Sequence, residues 1–161
     1  MKYDTDMLNC YPLSNSQLNI WNLEQSFCGT SINNICETIR IKGVLDVVLL
    51  QTCLNQILKA DPSLPTQITL DESQHPVQYE KEYEEILFPV FDFSATNITG
   101  FEHWENSVTR QVMPILDAPL YYFAIVKLSE HEGGVFIKTH HIISDGWTQV
   151  SLINRIAQTY L

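Results

Sequence analysis

The residues best suited to chemistry in this chain are two adjacent histidines, His140 and His141, followed at short spacing by Asp145 and Gly146. An imidazole has an ordinary pKa of about 6.5, so near neutral pH it can take up or release a proton. The pair is therefore suited to moving a proton during a reaction. A histidine pair before a turn is also common as a partly exposed polar pair, so the dipeptide alone does not decide between these interpretations.

The elements around the histidines predict where they lie. Residues 135–139 are rich in β-branched and aromatic side chains and follow Gly133-Gly134, which is typical of a strand that enters from a turn. After the motif, apolar residues recur every three or four positions, which predicts a helix with one buried face: Trp147, Val150, Ile153, Ile156, Ala157 and Tyr160. The motif thus lies on a strand-to-helix connection, where a sheet can hold side chains rigidly at a crevice.

This connection predicts different tasks for the motif residues. Adjacent strand residues point to opposite faces, so we expect one histidine to act on a substrate and the other to support it. The Asp145 side chain is expected either to cap the following helix or to pair with a cation. Gly146 is expected to permit a backbone turn that a Cβ would obstruct.

Length and composition predict one soluble domain. The chain has 161 residues, of which 45% are hydrophobic, and a domain of this size buries roughly two-thirds of its unfolded surface. It has no run of about 20 apolar residues and no apolar signal-peptide core near Met1, so we expect a cytoplasmic protein without a membrane partner. The net charge is -10 and the nine lysines and arginines are scattered, which argues against a nucleic-acid partner.

The cysteines and histidines do not predict a metal site. Cys10, Cys28, Cys36 and Cys53 lack C-x-x-C spacing and are interpreted as reduced thiols. The histidines show no paired ligand spacing, and a site would need three or four convergent ligands. We therefore expect no bound metal.

Periodicity along the chain predicts an α+β domain. Helices are expected at about 14–27, 45–59, 99–112 and from 146 onward, and strands at about 35–41, 66–70, 76–81, 87–91, 119–128 and 134–140. This order fits a mixed sheet with helices packed mainly on one face.

The spacing H-H-x-x-x-D-G, followed by Trp147-Thr148, resembles the signature of the condensation domains of non-ribosomal peptide synthetases, in the chloramphenicol acetyltransferase-like superfamily. Further likenesses occur in the family's order. Near the N-terminus, Leu13, Ser14, Gln17 and Trp21 match the family's opening motif L-S-x-A-Q-x-R-L-W. A G-x-L-D turn follows at 43–46, and a Pro-Leu pair at 119–120 precedes a strand. Departures are also present, since Asn19 stands at an arginine position and the motif R-H-E-x-L-R-T retains only Leu64 and Thr66.

The resemblance implies a chloramphenicol acetyltransferase-like lobe and a reaction. Condensation domains have two lobes, and residues 1–161 resemble the N-terminal one, so the chain is expected to be cut within its last helix. The implied reaction is attack of a carrier-bound amine on a carrier-bound acyl or peptidyl thioester. Phosphopantetheine arms of donor and acceptor carrier domains would deliver both substrates, and the chain itself would bind no cofactor. The C-terminal lobe and an adenylation domain are the other implied partners.

The resemblance also implies roles for the motif. His141 is expected to be the reacting residue, while His140, Asp145 and Gly146 support the loop. Asp145 is expected to form an ion pair with an unidentified base, for which Arg40, Arg110, Arg155 and a residue of the absent lobe are candidates.

Four other interpretations stay open on the sequence. The chain resembles a condensation lobe most, but an epimerisation domain carries a related motif, and a starter condensation domain that takes a fatty acyl group fits the same residues. A free-standing acyltransferase that uses coenzyme A thioesters belongs to the same superfamily. A carrier-docking module without activity is the fourth, and such relatives usually lose the histidine motif.

Overall fold

The computed structural model describes residues 9–161, apart from the side chain of Asn97. Its elements in chain order are β1 (Tyr11–Pro12), α1 (Asn15–Ser26), β2 (Asn34–Lys42), α2 (Val47–Ala60), β3 (Thr66–Leu70), β4 (Pro76–Glu80), β5 (Val90–Asp92), α3 (Asn97–Arg110), β6 (Tyr121–Ser129), β7 (Glu132–His140) and α4 (Gly146–Tyr160).

The strands form two sheets. The larger sheet has the order β2-β7-β6-β5, in which only β5 and β6 run parallel, and the smaller is an antiparallel sheet of order β1-β4-β3. β7 lies between β2 and β6 and pairs with both over most of its length. This central position holds the backbone of β7 on both sides as far as His140, where the motif begins.

Both faces of the larger sheet are covered, because residues of its two central strands alternate between two apolar clusters. On one face Phe123, Ile125, Val135 and Ile137 pack with residues of α2 and α4. On the other face Ala124, Val126 and Phe136 pack with residues of α3. The predicted α+β fold with a mixed sheet is confirmed, with two helices on one face and α3 on the other.

The predicted helices and strands agree with the structure except for two short strands, β1 and β5, whose sequence signals are weak. The strand predicted at 66–70 coincides with β3, and the G-x-L-D turn leads into α2 as predicted, with Asp46 as its N-cap. β5 is shorter and lies later than predicted, and the two-residue strand β1 was not predicted. A strand of two residues carries no period, so only its pairing with β4 reveals it.

Candidate active site

The two motif histidines have opposite surroundings. The His140 side chain is buried, with 1% of its surface exposed, whereas His141 is exposed. Their backbone amides form hydrogen bonds with two different segments. His140 N–H donates to the Leu120 oxygen at 2.8 Å, and His141 N–H donates to the Asn33 oxygen at 2.8 Å. The alternation of side chains along a strand predicts this opposite orientation. Of the two histidines, only His141 faces solvent.

His140 holds the loop through its ring. Its Nδ1 accepts a hydrogen bond from the backbone N–H of Ile142 at 3.1 Å, so the proton of the neutral ring is on Nε2. Nε2 lies 3.4 Å from Oε2 of the buried Glu24, outside hydrogen-bond geometry but close enough for attraction. Burial lowers the pKa of His140, and the Glu24 carboxylate opposes that decrease. The ring therefore stays neutral and acts as a fixed acceptor for the loop.

Asp145 is the N-cap of α4. Its carboxylate accepts from the backbone N–H and from the hydroxyl of Thr148, both at 2.8 Å. These bonds, with the Thr148 amide first, hold the pKa of Asp145 below its usual range. None of the described residues 9–161 forms an ion pair with Asp145, and a base in an absent lobe stays a prediction. Among the described residues, Arg155 pairs with Asp61 at 2.5 Å and Arg40 pairs with Glu132 at 3.4 Å.

Gly146 is the first residue of α4. A Cβ built on it would meet nothing within 4 Å, and its φ is not positive. The prediction that a Cβ would obstruct the turn here is therefore wrong. The glycines with a positive φ in the described residues lie elsewhere, at Gly43 in the G-x-L-D turn with 127° and at Gly29 with 77°.

The wall opposite His141 comes from α1. Ser14 and Gln17 form a capping box that starts this helix, and Leu13 and Trp21 belong to the same apolar cluster as Ile142 of the motif. The resulting open groove is lined by Ser16, Asn19, His141, Ile143, Asp145 and Thr148 among others. The structure thus brings the opening motif against the histidine motif and leaves the exposed imidazole of His141 on the groove between them.

A protein-family comparison decides the classification. The condensation domain family matches residues 7–161. The chain belongs to the condensation domain family. Two relatives from Bacillus subtilis (strain 168) are surfactin synthase subunit 1, which is 28% identical over 155 residues, and surfactin synthase subunit 2, which is 26% identical over 157 residues. These alignments cover 94% and 96% of this chain, but only 4% of each relative.

Solved condensation domains share the fold. The starter condensation domain of rhizomide synthetase RzmA matches with a TM-score of 0.86 at 22% identity, over 94% of this chain and 37% of that one. The first condensation domain of the calcium-dependent antibiotic synthetase, in complex with a substrate analogue, matches with a TM-score of 0.84 at 18% identity. That second match covers 94% of this chain and 39% of the solved one. The chloramphenicol acetyltransferase-like class predicted from the sequence is thereby confirmed.

Three side chains at this condensation-domain site were not predicted from the sequence. Glu24 and Asn33 lie buried behind His140. Gln149 is buried beneath the loop and donates from Nε2 to the Ser144 hydroxyl at 2.9 Å and to the hydroxyl of Thr139. One signal was available for Glu24, because it follows Ile20 by four residues and so lies on the face of α1 that turns inward.

The described residues also limit what else the site holds. Within residues 9–161, histidines, cysteines and carboxylates nowhere cluster in groups of three or more that would suit a metal ion. No helix in this part of the chain has the length and apolar character needed to cross a membrane. All four cysteines are free thiols, and burial raises the pKa of Cys10, Cys36 and Cys53.

Proposed function

We propose that residues 1–161 are the N-terminal lobe of a condensation domain that forms amide bonds in non-ribosomal peptide synthesis, with His141 as the reacting residue. One observation supports this most strongly. Of the two motif histidines, only His141 presents its ring to the groove, while His140 is buried and engaged with the loop.

The proposed reaction joins two tethered substrates. The amine nitrogen on the acceptor arm attacks the thioester carbon on the donor arm, the carbon–sulfur bond breaks, and the donor arm leaves as a thiol. The attacking nitrogen loses a proton as the amide forms. His141 acts on this amine, either by taking its proton or by orienting it, and the rigid end of β7 supplies the orientation that both tasks need.

The partners follow from the same proposal. Phosphopantetheine arms of a donor and an acceptor carrier domain bring the substrates, and an adenylation domain of the full-length protein loads an amino acid. A C-terminal lobe completes the groove, which fits the coverage of 37% of the solved starter domain. A cytoplasmic location suits this chemistry, because loaded carriers are made there.

The test is His141→Ala in the full-length protein, assayed with both carriers loaded. We expect amide formation to fall at least about 100-fold, because a positioned proton-transfer group contributes roughly that much or more. The melting temperature should stay unchanged, since the side chain is exposed. His103→Ala is the matched control, because His103 is an exposed histidine on α3. Turnover of His141→Ala within a few-fold of wild type would remove His141 from the mechanism.

The same preparation separates the competing functions. Inversion of a carrier-bound aminoacyl group without amide formation would identify an epimerisation lobe. Transfer from an acyl coenzyme A to a free amine or alcohol would identify a free-standing acyltransferase. Binding of carriers without either reaction would identify a docking module.

A further inference from the structure

A buried polar cluster lies directly behind the motif and has no task in the reaction described above. It consists of Glu24 on α1, Asn33 before β2, and His140 at the end of β7. Their exposed fractions are 7%, 2% and 1%. Burial of a carboxylate lowers the stability of the fold unless the group is paired and hydrogen-bonded. A cluster of this kind is therefore expected to have a structural or functional role.

The contacts of Glu24 connect the cluster. Its Oε2 accepts a hydrogen bond from Nδ2 of Asn33 at 2.6 Å, and the same oxygen lies 3.4 Å from Nε2 of His140. A negative oxygen at that place attracts the Nε2 proton of His140. It thereby favours the tautomer whose Nδ1 is free to accept from Ile142.

Asn33 joins this cluster to the reacting residue. Its side chain donates to Glu24, and its backbone oxygen accepts from the N–H of His141 at 2.8 Å. His141 is thus held at its own amide by Asn33, and the turn after it is held by the ring of His140 through Ile142. Both bonds hold the backbone from which the His141 side chain projects.

We propose that Glu24 and Asn33 are positioning residues that orient His141, acting through the ring of His140 and through the backbone at the start of β2. The inference rests on the proposed role of His141. It adds that the exposed histidine acts only while a buried acceptor oxygen at position 24 holds its neighbour in one tautomer.

The decisive comparison is between Glu24→Met and Glu24→Gln in the full-length protein. Methionine fills a similar volume but offers no oxygen to Asn33 or His140, whereas the glutamine oxygen can occupy the place of Oε2. We expect Glu24→Met to lower kcat at least about tenfold with little change in KM, because misplacement of a reacting group by about 1 Å can cost on the order of 100-fold. Glu24→Gln should restore most of the lost kcat.

Two controls keep the result specific. Glu37→Met makes the same replacement at an exposed residue of β2 and should leave kcat unchanged. Asn33→Ala removes the donor to Glu24 but keeps the backbone oxygen that binds His141, so it should lower kcat less than Glu24→Met. If Glu24→Met does not fold, the Asn33→Ala and Glu24→Gln values decide, and wild-type kcat in Asn33→Ala would overturn the proposal.

A second readout does not depend on activity. Long-range proton–nitrogen spectra of the 161-residue chain report which ring nitrogen of His140 carries the proton, and we expect Nε2. A proton on Nδ1 would overturn the proposal, as would equal kcat in wild type, Glu24→Met and Glu24→Gln. Failure of the proposed function is a different result, in which His141→Ala itself stays active.

Discussion

At the residue scale, Asp145 shows how one side chain can support the motif loop through the helix that follows it. Its carboxylate is exposed and bonds to Thr148 in the first turn of α4, so it starts the helix where the motif loop ends. An aspartate of this kind stabilises a helix by accepting from amide groups that have no partner within the helix. Within the described part of the chain, its removal leaves no buried cation unpaired.

Asp145→Ala should therefore lower the melting temperature of the chain by a few degrees at neutral pH, whereas Asp145→Asn should not, since asparagine also caps helices well. The folded-state pKa of Asp145 is lowered, so its ionised form adds stability at pH values above the ordinary aspartate pKa of about 3.9. That stability is lost as the pH falls through the folded-state pKa. The gap in melting temperature between wild type and Asp145→Ala should narrow in that acidic range. Thermal unfolding as a function of pH measures this.

Activity of the same variants separates two roles for Asp145. A lost turnover with an unchanged melting temperature in Asp145→Ala would show that the carboxylate takes part in the reaction and not in the helix cap.

At the element scale, the geometry of β7 depends on close backbone contact with its neighbours. A Cβ at Gly134 would overlap with the backbone oxygen of Ile39 in β2, and a Cβ at Gly133 would lie 2.7 Å from the Val126 oxygen in β6. The glycine pair that marks the start of this strand in the sequence thus has a packing reason. Side chains at these two positions would push β2 and β6 away from β7, which carries the histidines at its end.

Gly134→Ala should destabilise the chain by roughly 3 kcal/mol or more, because the clash is with backbone and cannot be relieved by a side-chain movement. Gly146→Ala is the matched control, since the added methyl group there meets nothing within 4 Å and the residue lies in a helix. It should be neutral or slightly stabilising. Chemical denaturation of both variants measures the difference, and equal stabilities would contradict the packing argument.

At the scale of the whole molecule, the site is open on one side and apolar residues lie exposed next to it. Trp147 is 83% exposed and Val150 is 52% exposed, both on the outer side of α4. Large exposed apolar side chains beside a groove are typical of an interface. The position of these residues directly after the motif fits a groove that a second lobe would complete.

The 161-residue chain should therefore fold but not catalyse condensation by itself, because half of the groove and one substrate approach would be absent. Its exposed apolar residues should also favour self-association, which Trp147→Ser is expected to weaken. Light scattering and a condensation assay with loaded carriers measure the two properties. Robust turnover by a monomer would contradict the two-lobe interpretation.

Much of the fold and the place of the motif follow from the sequence by itself. The helix start at Ser14, the strand at 66–70 and the strand-to-helix connection that carries His140 and His141 all rest on local signals. Helix caps, turns and the spacing of apolar residues depend on residues a few positions apart. They can therefore be read from the sequence without knowledge of the tertiary structure.

Only the tertiary structure decided what surrounds the two histidines. Glu24 and Asn33 are far from His140 along the chain and reach it because α1 and the start of β2 pack beside the end of β7. The sequence also did not decide between a helix cap and an ion pair for Asp145. Within residues 9–161 it forms the cap and no ion pair, because the partner of a carboxylate depends on which side chains folding brings near. Residue types and spacing thus located the motif histidines, while the packing of distant segments determined which groups hold them.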